Sequence, residues 1–307
     1  MKLISCLIAL VALAACSGKN PLSPQSGGKP YEVLLCGDCD SILYKALSEK
    51  TEGLPQDEPT FDVSLTDNNH FGTLERLARN IVKTDIDPGK YPSSRIRYEQ
   101  NRYAEPQLII HVESPSAQAL KAASTTIAEK LKKLLIRSEM QLEVKRQEEK
   151  RNMKVEKIIQ EQFGSRMLIP ADMKVAKQEK GFLWLSTRTA KYVMNIAIYQ
   201  GCNRDSMMKR NIKGDTDDIY MTTVKGSTSV QKTADNSGRR IVTRGLWAME
   251  GDAMGGPFVS HTIQNMKTGQ ILTAEAFVYA PGESKRNKMR QLEALLYTFT
   301  TNTNEYE

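Results

Sequence analysis

The chain has little of what most enzymes and nucleic-acid binders need. Only three histidines occur in 307 residues, His70, His111 and His261, and no two stand at metal-ligand spacing, which disfavours zinc. No GxGxxG fingerprint, P-loop or GxSxG elbow is present, so nucleotide binding and the common serine hydrolases lose their usual entry points. Ser260 and His261 are neighbours in an expected strand, where adjacent side chains point to opposite faces and cannot form a dyad. Asp85/Asp87 and Asp215/Asp217/Asp218 suggest calcium, but an EF-hand would need an oxygen ligand at Ile219 and glycine at Tyr220. Turn chemistry accounts for both, and no metal or cofactor is expected. The one long apolar run stops at Cys16, too short and too early for a transmembrane helix.

What is present first is a processing signal. Met1-Lys2 supplies a positive start and Leu3 to Ala12 an apolar stretch of signal-peptide length. It ends in Leu13-Ala14-Ala15-Cys16, a bacterial lipobox pattern: an apolar residue, two small ones, then the cysteine whose thiol takes a diacylglycerol. The membrane is therefore the first expected partner, through a lipid on Cys16. Ser17, Gly18 and Lys19 bring no acidic cluster after the anchor, which favours the outer membrane facing the periplasm. That address makes nucleic acid an unsuitable partner for the net charge of +7. An envelope protein or glycan fits better.

The rest reads as an ordinary globular chain, with 40% hydrophobic and 26% charged residues. After a signal peptide over 1–15, residues 16–30 are rich in Pro, Gly and Ser and read as a flexible tether. An N-terminal lobe over 31–138 follows. Strands are expected at Tyr31–Leu35, around Phe61–Leu65, and near 94–99 and 106–113. Leu74, Leu77, Ala78 and Ile81 suggest a helical stripe, and Leu120, Ile127, Leu131, Leu134 and Leu135 another, longer one after Pro115. Charges dominate from Glu139 to Lys157, and no clean heptad persists, so 139–165 reads as a solvated helix linking two lobes.

The C-terminal lobe, 166–300, repeats the grammar before a tail at 301–307. Strands are expected at Met167–Ile169, Phe182–Leu185 and Val193–Tyr199, a short helix at Asp205–Asn211, and a last helix with stripe Met289, Leu292, Leu295 and Leu296. Arg79-Asn80-Ile81 is echoed by Arg210-Asn211-Ile212, and Val112-x-x-Pro115 by Val278-x-x-Pro281. The fold class is thus α+β: two lobes of mixed or antiparallel sheet with packed helices, joined by a long charged helix. The ordered echoes are those of a diverged internal duplication, with chance punctuation as the rival explanation.

Two constellations remain. Cys36-Gly37-Asp38-Cys39 lies between an expected strand and helix, a layout in which a helix N-terminus can lower a thiol pKa. Pro106, before an apolar strand, could mimic a thioredoxin-like proline. Against redox chemistry, no Trp precedes Cys36, and a local disulfide or idle thiols serve equally well. The second is a hairpin over 241–265, with Trp247 and Met249 on one face and Leu246 and Ala248 on the other. Its connection, with Arg244, Asp252 and Met254 nearby, is a candidate recognition loop; the alternative is a turn whose glycines only help to pack Trp247.

The block Arg244 to His261 (RGLWAMEGDAMGGPFVSH) with Ala274 to Pro281 (AEAFVYAP) resembles a lipoprotein family of Bacteroidota known as domain of unknown function 4837. Pro30-Tyr31-Glu32-Val33, Gly53-Leu54-Pro55-Gln56 and Arg79-Asn80-Ile81 resemble it as well, extending the likeness over nearly the whole mature chain. The family pattern does not require cysteines near Cys36 and Cys39. The resemblance implies an envelope lipoprotein and supplies no activity. Together these observations favour a non-enzymatic binding or assembly module, with a thiol-disulfide oxidoreductase using Cys36 and Cys39 as the alternative. The first expectation is direct: labelled fatty acid enters the wild-type protein in cells and not Cys16→Ala. Equal labelling of both would remove the anchor.

Overall fold

The computed structural model describes residues 23–38, 41–235, 238–265 and 268–301. Cys16 and Cys39 lie outside the described residues. The N-terminal lobe runs β1 (Glu32–Cys36), α1 (Ile42–Leu47), β2 (Asp62–Thr66), β3 (Asn80–Ile86), β4 (Arg95–Gln100), β5 (Leu108–Ser114) and α2 (Ala117–Glu148). Its sheet has the order β2-β1-β3-β5-β4, parallel throughout except for β4. The helical stripe expected through Ile81 is a correction: only a 3-10 turn at Glu75–Leu77 precedes β3. Isoleucine, valine and threonine dominate β3, and an inner parallel strand favours such β-branched residues, whatever the spacing upstream.

One face of this sheet carries Val33, Leu35, Val82, Ile110 and Val112, which pack beneath α1 and α2. Helix α2 begins with Ser116, whose hydroxyl accepts from the Ala119 N–H, and buries Leu120, Ile127, Leu131 and Leu135. Its 32 residues span about 48 Å, long enough to leave the N-terminal sheet and run between the lobes.

The C-terminal lobe starts with α3 (Met153–Phe163), capped by Asn152 and ended by Gly164 at φ 59. It continues through β6 (Lys174–Glu179), β7 (Phe182–Arg188), β8 (Val193–Gln200), α4 (Arg204–Asn211), β9 (Tyr220–Thr223) and β10 (Ser229–Asp235). Then follow β11 (Gly238–Glu250), β12 (Gly255–Gln264), β13 (Ile271–Tyr279) and α5 (Arg286–Leu296). The antiparallel sheet has the order β10-β11-β12-β13-β8-β7-β6, with β9 also on β11. Residues 167–169 form no strand, a second correction; their apolar side chains instead plug the core beneath α3. The sheet is buried on both sides. Ile196, Ala274, Ala276 and Val278 face α3 and α5, while Tyr199, Trp247, Phe258 and Phe277 form a second core with α4.

The two lobes differ in topology, one mixed and the other antiparallel. Val112-x-x-Pro115 and Val278-x-x-Pro281 both mark a strand leading to a helix, but Arg79-Asn80-Ile81 opens a strand while Arg210-Asn211-Ile212 closes a helix.

Helix α5 joins the lobes. Its first turn has no acidic residue and its own N-cap, Lys285, makes no side-chain cap. The cap comes from the other lobe: Glu58 Oε1 accepts from the Lys285 N–H at 2.6 Å and Oε2 from the Arg286 N–H at 3.0 Å. Arg286 also donates to Asp62 at 2.6 Å, and Arg290 to the Thr60 carbonyl at 2.7 Å. Burial pulls the Arg290 guanidinium down to about 10, so it stays protonated at neutral pH over the Tyr31 ring, 4.4 Å away. At the opposite end, buried Arg240 donates to the carbonyls of Leu296 and Phe299. Each end of α5 therefore meets the charge its dipole favours.

Glu58→Gln retains one acceptor but faces an N–H with an amide NH₂. It should cost about 1–2 kcal/mol, read as a lowered urea midpoint, while exposed Glu52→Gln leaves the midpoint in place. Equal midpoints for both variants would remove Glu58 as the clasp.

Candidate functional site

Packing a basic helix end against an acidic loop leaves space on either side of α5. The larger space is a cleft of about 890 Å³, within the usual range for small-ligand sites. The end of α2 forms one wall, and Tyr192 with the first turns of α5 forms the other. Its third side is the segment Ser23–Pro30. Although its composition reads as a tether, this segment is fastened to the N-terminal lobe. Pro24 and Ser26 exchange backbone hydrogen bonds with Glu105, and Gly27 with Leu77 and Arg79. The Ser26 hydroxyl donates to the Pro106 carbonyl at 2.5 Å, and Arg79 Nη2 to the Gly28 carbonyl at 2.8 Å.

A carboxylate forms part of the floor. Glu139 is 3% exposed, accepts from Asn80 Nδ2 at 2.7 Å, and lies 3.4 Å from Arg79 Nη1. Tyr31 is beside it. Burial, reinforced by Glu139, Glu293 and Glu143 against the opposing Arg290, holds its hydroxyl protonated far above neutral pH. Farther along α2, Glu143 accepts from Arg146 and from Gln147. This floor was missed by pattern reading, yet it has a signal: the buried stripe Leu131–Leu135 continues four residues on to Glu139, a carboxylate at a core position. Glu58, Arg286 and Arg290 carry no comparable signal, because their roles depend on contact between lobes.

The predicted site residues are scattered. Cys36 ends β1 with its thiol buried, donating to Asn68 Oδ1 at 3.2 Å. Burial pushes this thiol up, with Lys83 opposing, which is the reverse of an activated nucleophile. Asp38 also takes the N–H groups of Leu43 and Tyr44, so the start of α1 is already occupied by a carboxylate. Pro106 cannot assist Cys36. The strands are parallel and Cys36 is level with Lys83 and His111, leaving Pro106 about 16 Å away along the strand direction. These placements give the thiol-disulfide layout no support.

Arg244 is on the α5 face of β11, ion-paired with Glu293, and lines a second cleft of about 550 Å³. Asp252 and Met254 are in the β11–β12 turn, about 20 Å from Arg244 along the strand. Met254 is half-buried against the Trp247 core; Asp252 is exposed. The motif's glycines have packing roles. Gly251 takes φ +78 in the turn, and a Cβ on Gly256 would stand 2.1 Å from the Val278 carbonyl oxygen. Beneath this face, fully buried Glu275 pairs with Arg204 at 2.8 Å and receives the Tyr199 hydroxyl at 3.3 Å. Burial raises the Glu275 carboxyl while Arg204 opposes the shift. His261, on the opposite face from Ser260, packs against Tyr297. No cluster of metal-ligating side chains occurs among the described residues.

The thiols provide a test. Iodoacetamide at pH 7 should label exposed Cys202 at least about ten-fold faster than Cys36, by peptide mass spectrometry, because reactivity follows exposure and thiolate fraction. Faster labelling of Cys36 would contradict the buried, raised thiol.

Residues 152–298 match the family model described as Domain of unknown function (DUF4837), and residues 26–148 match Domain of unknown function (DUF8532). The division falls between α2 and α3, so the N-terminal motifs that resemble the first family lie in the span of the second. No curated protein matches the chain. A crystal structure from Bacteroides thetaiotaomicron VPI-5482 is similar at 13% identity, over 46% of each chain, with a TM-score of 0.20. The chain thus spans about half the length of that protein, and a likeness so low carries no argument about fold. The two matches lie end to end, one over the N-terminal lobe and the other over the C-terminal lobe.

Proposed function

We propose that the protein is a lipid-anchored binding or assembly module of the cell envelope, probing ligands with the cleft between its lobes. The lipobox ending at Cys16 supports the anchor, and the absence of an acidic cluster at residues 17–19 supports the outer membrane facing the periplasm. No helix among the described residues is long and apolar enough to cross a membrane. One observation carries the binding role: two lobes, a fastened N-terminal segment and α5 converge on one space of about 890 Å³. Its walls present tyrosines, amides and charged groups, which orient a ligand, while Cys36, Cys202 and the three histidines lie elsewhere.

The fastened segment also sets where the cleft would work. Seven residues lead from Cys16 to Ser23, a reach of at most roughly 25 Å. An acylated Cys16 would keep the mouth of the cleft close to the headgroups, within reach of surface-held molecules.

Hydrogen exchange tests this reading. A solubilised envelope fraction should slow exchange at residues 23–30, 139–149 and 287–291 of the mature protein. Leu142→Trp, which fills the cleft from α2, should abolish that protection. Unchanged exchange at all three walls would sink the reading.

A further inference from the structure

The charges facing the cleft fall into two groups. Arg79 pairs with Glu139, and Arg146 with Glu143. Lys145, Lys288, Glu105 and Glu149 line the same cleft, and none of the four has an ion-pair partner among the described residues. Two ammonium groups and two carboxylates thus face one space without neutralising each other. Lys145 and Glu149 are four residues apart at the end of α2, at helix-pair spacing, and still do not meet. The side-chain amides of Gln25 and Gln291, on opposite walls, have no hydrogen-bond partner among the described residues. An amide offers donors and an acceptor together, the complement of a peptide bond.

We propose that the cleft takes a short peptide with both termini free. Its ammonium end is received by Glu105 and Glu149, its carboxylate by Lys145 and Lys288, and its backbone by the two glutamine amides. This rests on the cleft being the binding site. A sugar would want an open aromatic face for stacking, but the Arg290 guanidinium already stands over Tyr31 at 4.4 Å. An anionic headgroup would meet as many carboxylates as ammonium groups, which leaves it no net attraction.

Titration of the mature protein with tetra-alanine, followed by amide chemical shifts, tests the proposal. Its N-acetylated and C-amidated forms are the controls, and N-acetylglucosamine disaccharide and glycerophosphate are competing probes. Tetra-alanine should shift the cleft walls and bind at least ten-fold more tightly than either blocked form. Lys145→Gln/Lys288→Gln should erase the preference over the C-amidated peptide only, and Glu105→Gln/Glu149→Gln the preference over the acetylated one only. Spectra unchanged away from the cleft confirm that these variants fold. Equal affinity for all three peptides, or wall shifts produced by the disaccharide or glycerophosphate and not by peptide, would overturn the peptide while leaving the cleft as the site. Silence of the walls towards every probe would overturn the proposal too; hydrogen exchange with the envelope fraction then decides separately whether the cleft binds at all.

Discussion

The clasp of Glu58 on the first turn of α5 is the contact on which the arrangement of the lobes depends. A helix start carries unpaired N–H groups and a partial positive charge, and it is normally met by a local Ser, Asp or Glu. Here the local residues are Lys285, Arg286, Lys288 and Arg290, all of the wrong sign. Each interaction of a single charge with a helix end is worth about 0.3–1 kcal/mol when exposed and up to roughly 2 when partly buried. Glu58 and Asp62 reverse that unfavourable balance, and they can do so only when the N-terminal lobe is in place. Lobe docking and helix capping are therefore one event.

From that clasp the two spaces beside α5 follow. Helix α5 also packs against α2, and a cleft opens on either side of it, one towards Glu139 and the other towards Arg244. The segment Ser23–Pro30 closes one side of the first. Residues 24–28 make their backbone hydrogen bonds to Glu105, Leu77 and Arg79, and Ser26 its hydroxyl bond to the Pro106 carbonyl, which spends these polar groups on the lobe and leaves the Gln25 side chain to the cleft. The second space is smaller, and the Arg244–Glu293 pair lies on its lining.

Local rules made much of the fold legible. Alternation placed the β11–β12 hairpin and the buried side of Trp247, a nearly continuous apolar run placed β8, and the apolar stripe placed α2 and α5. Those rules failed where context decides. Ile81 shares a helical spacing with Leu74 and Leu77, but its neighbours Val82 and Thr84 prefer an inner strand, and the parallel partners β1 and β5 settle the matter. Strands β6, β9 and β10 escaped notice because they are short or exposed and gain their stability from one partner, so few of their residues need to be apolar. The site was less legible still. Glu139 was readable as a polar break in an apolar stripe; Glu58 was one acidic residue among many until its partner, 227 positions away, came into contact.

The same physics bears on how the two family matches relate. Their boundary divides the chain at 148–152, which suggests two units that could be exchanged or separated. The charge pattern of α5 argues against free exchange. The matched C-terminal span contains a helix whose amino end bears four basic side chains and no acid of its own in the first turn. Alone, it would leave that end uncapped and expose Arg290, which in the full chain is buried over Tyr31 and bonded to the Thr60 carbonyl. Arg240 would still satisfy the carboxyl end, because it comes from β11 of the same lobe. The dependence is thus one-sided along the helix: its carboxyl end is satisfied within the C-terminal lobe, and its amino end only by the two lobes together. A C-terminal lobe of this kind joined to a different N-terminal partner would need either an acid at the Glu58 position in space or a self-capping residue in place of Lys285.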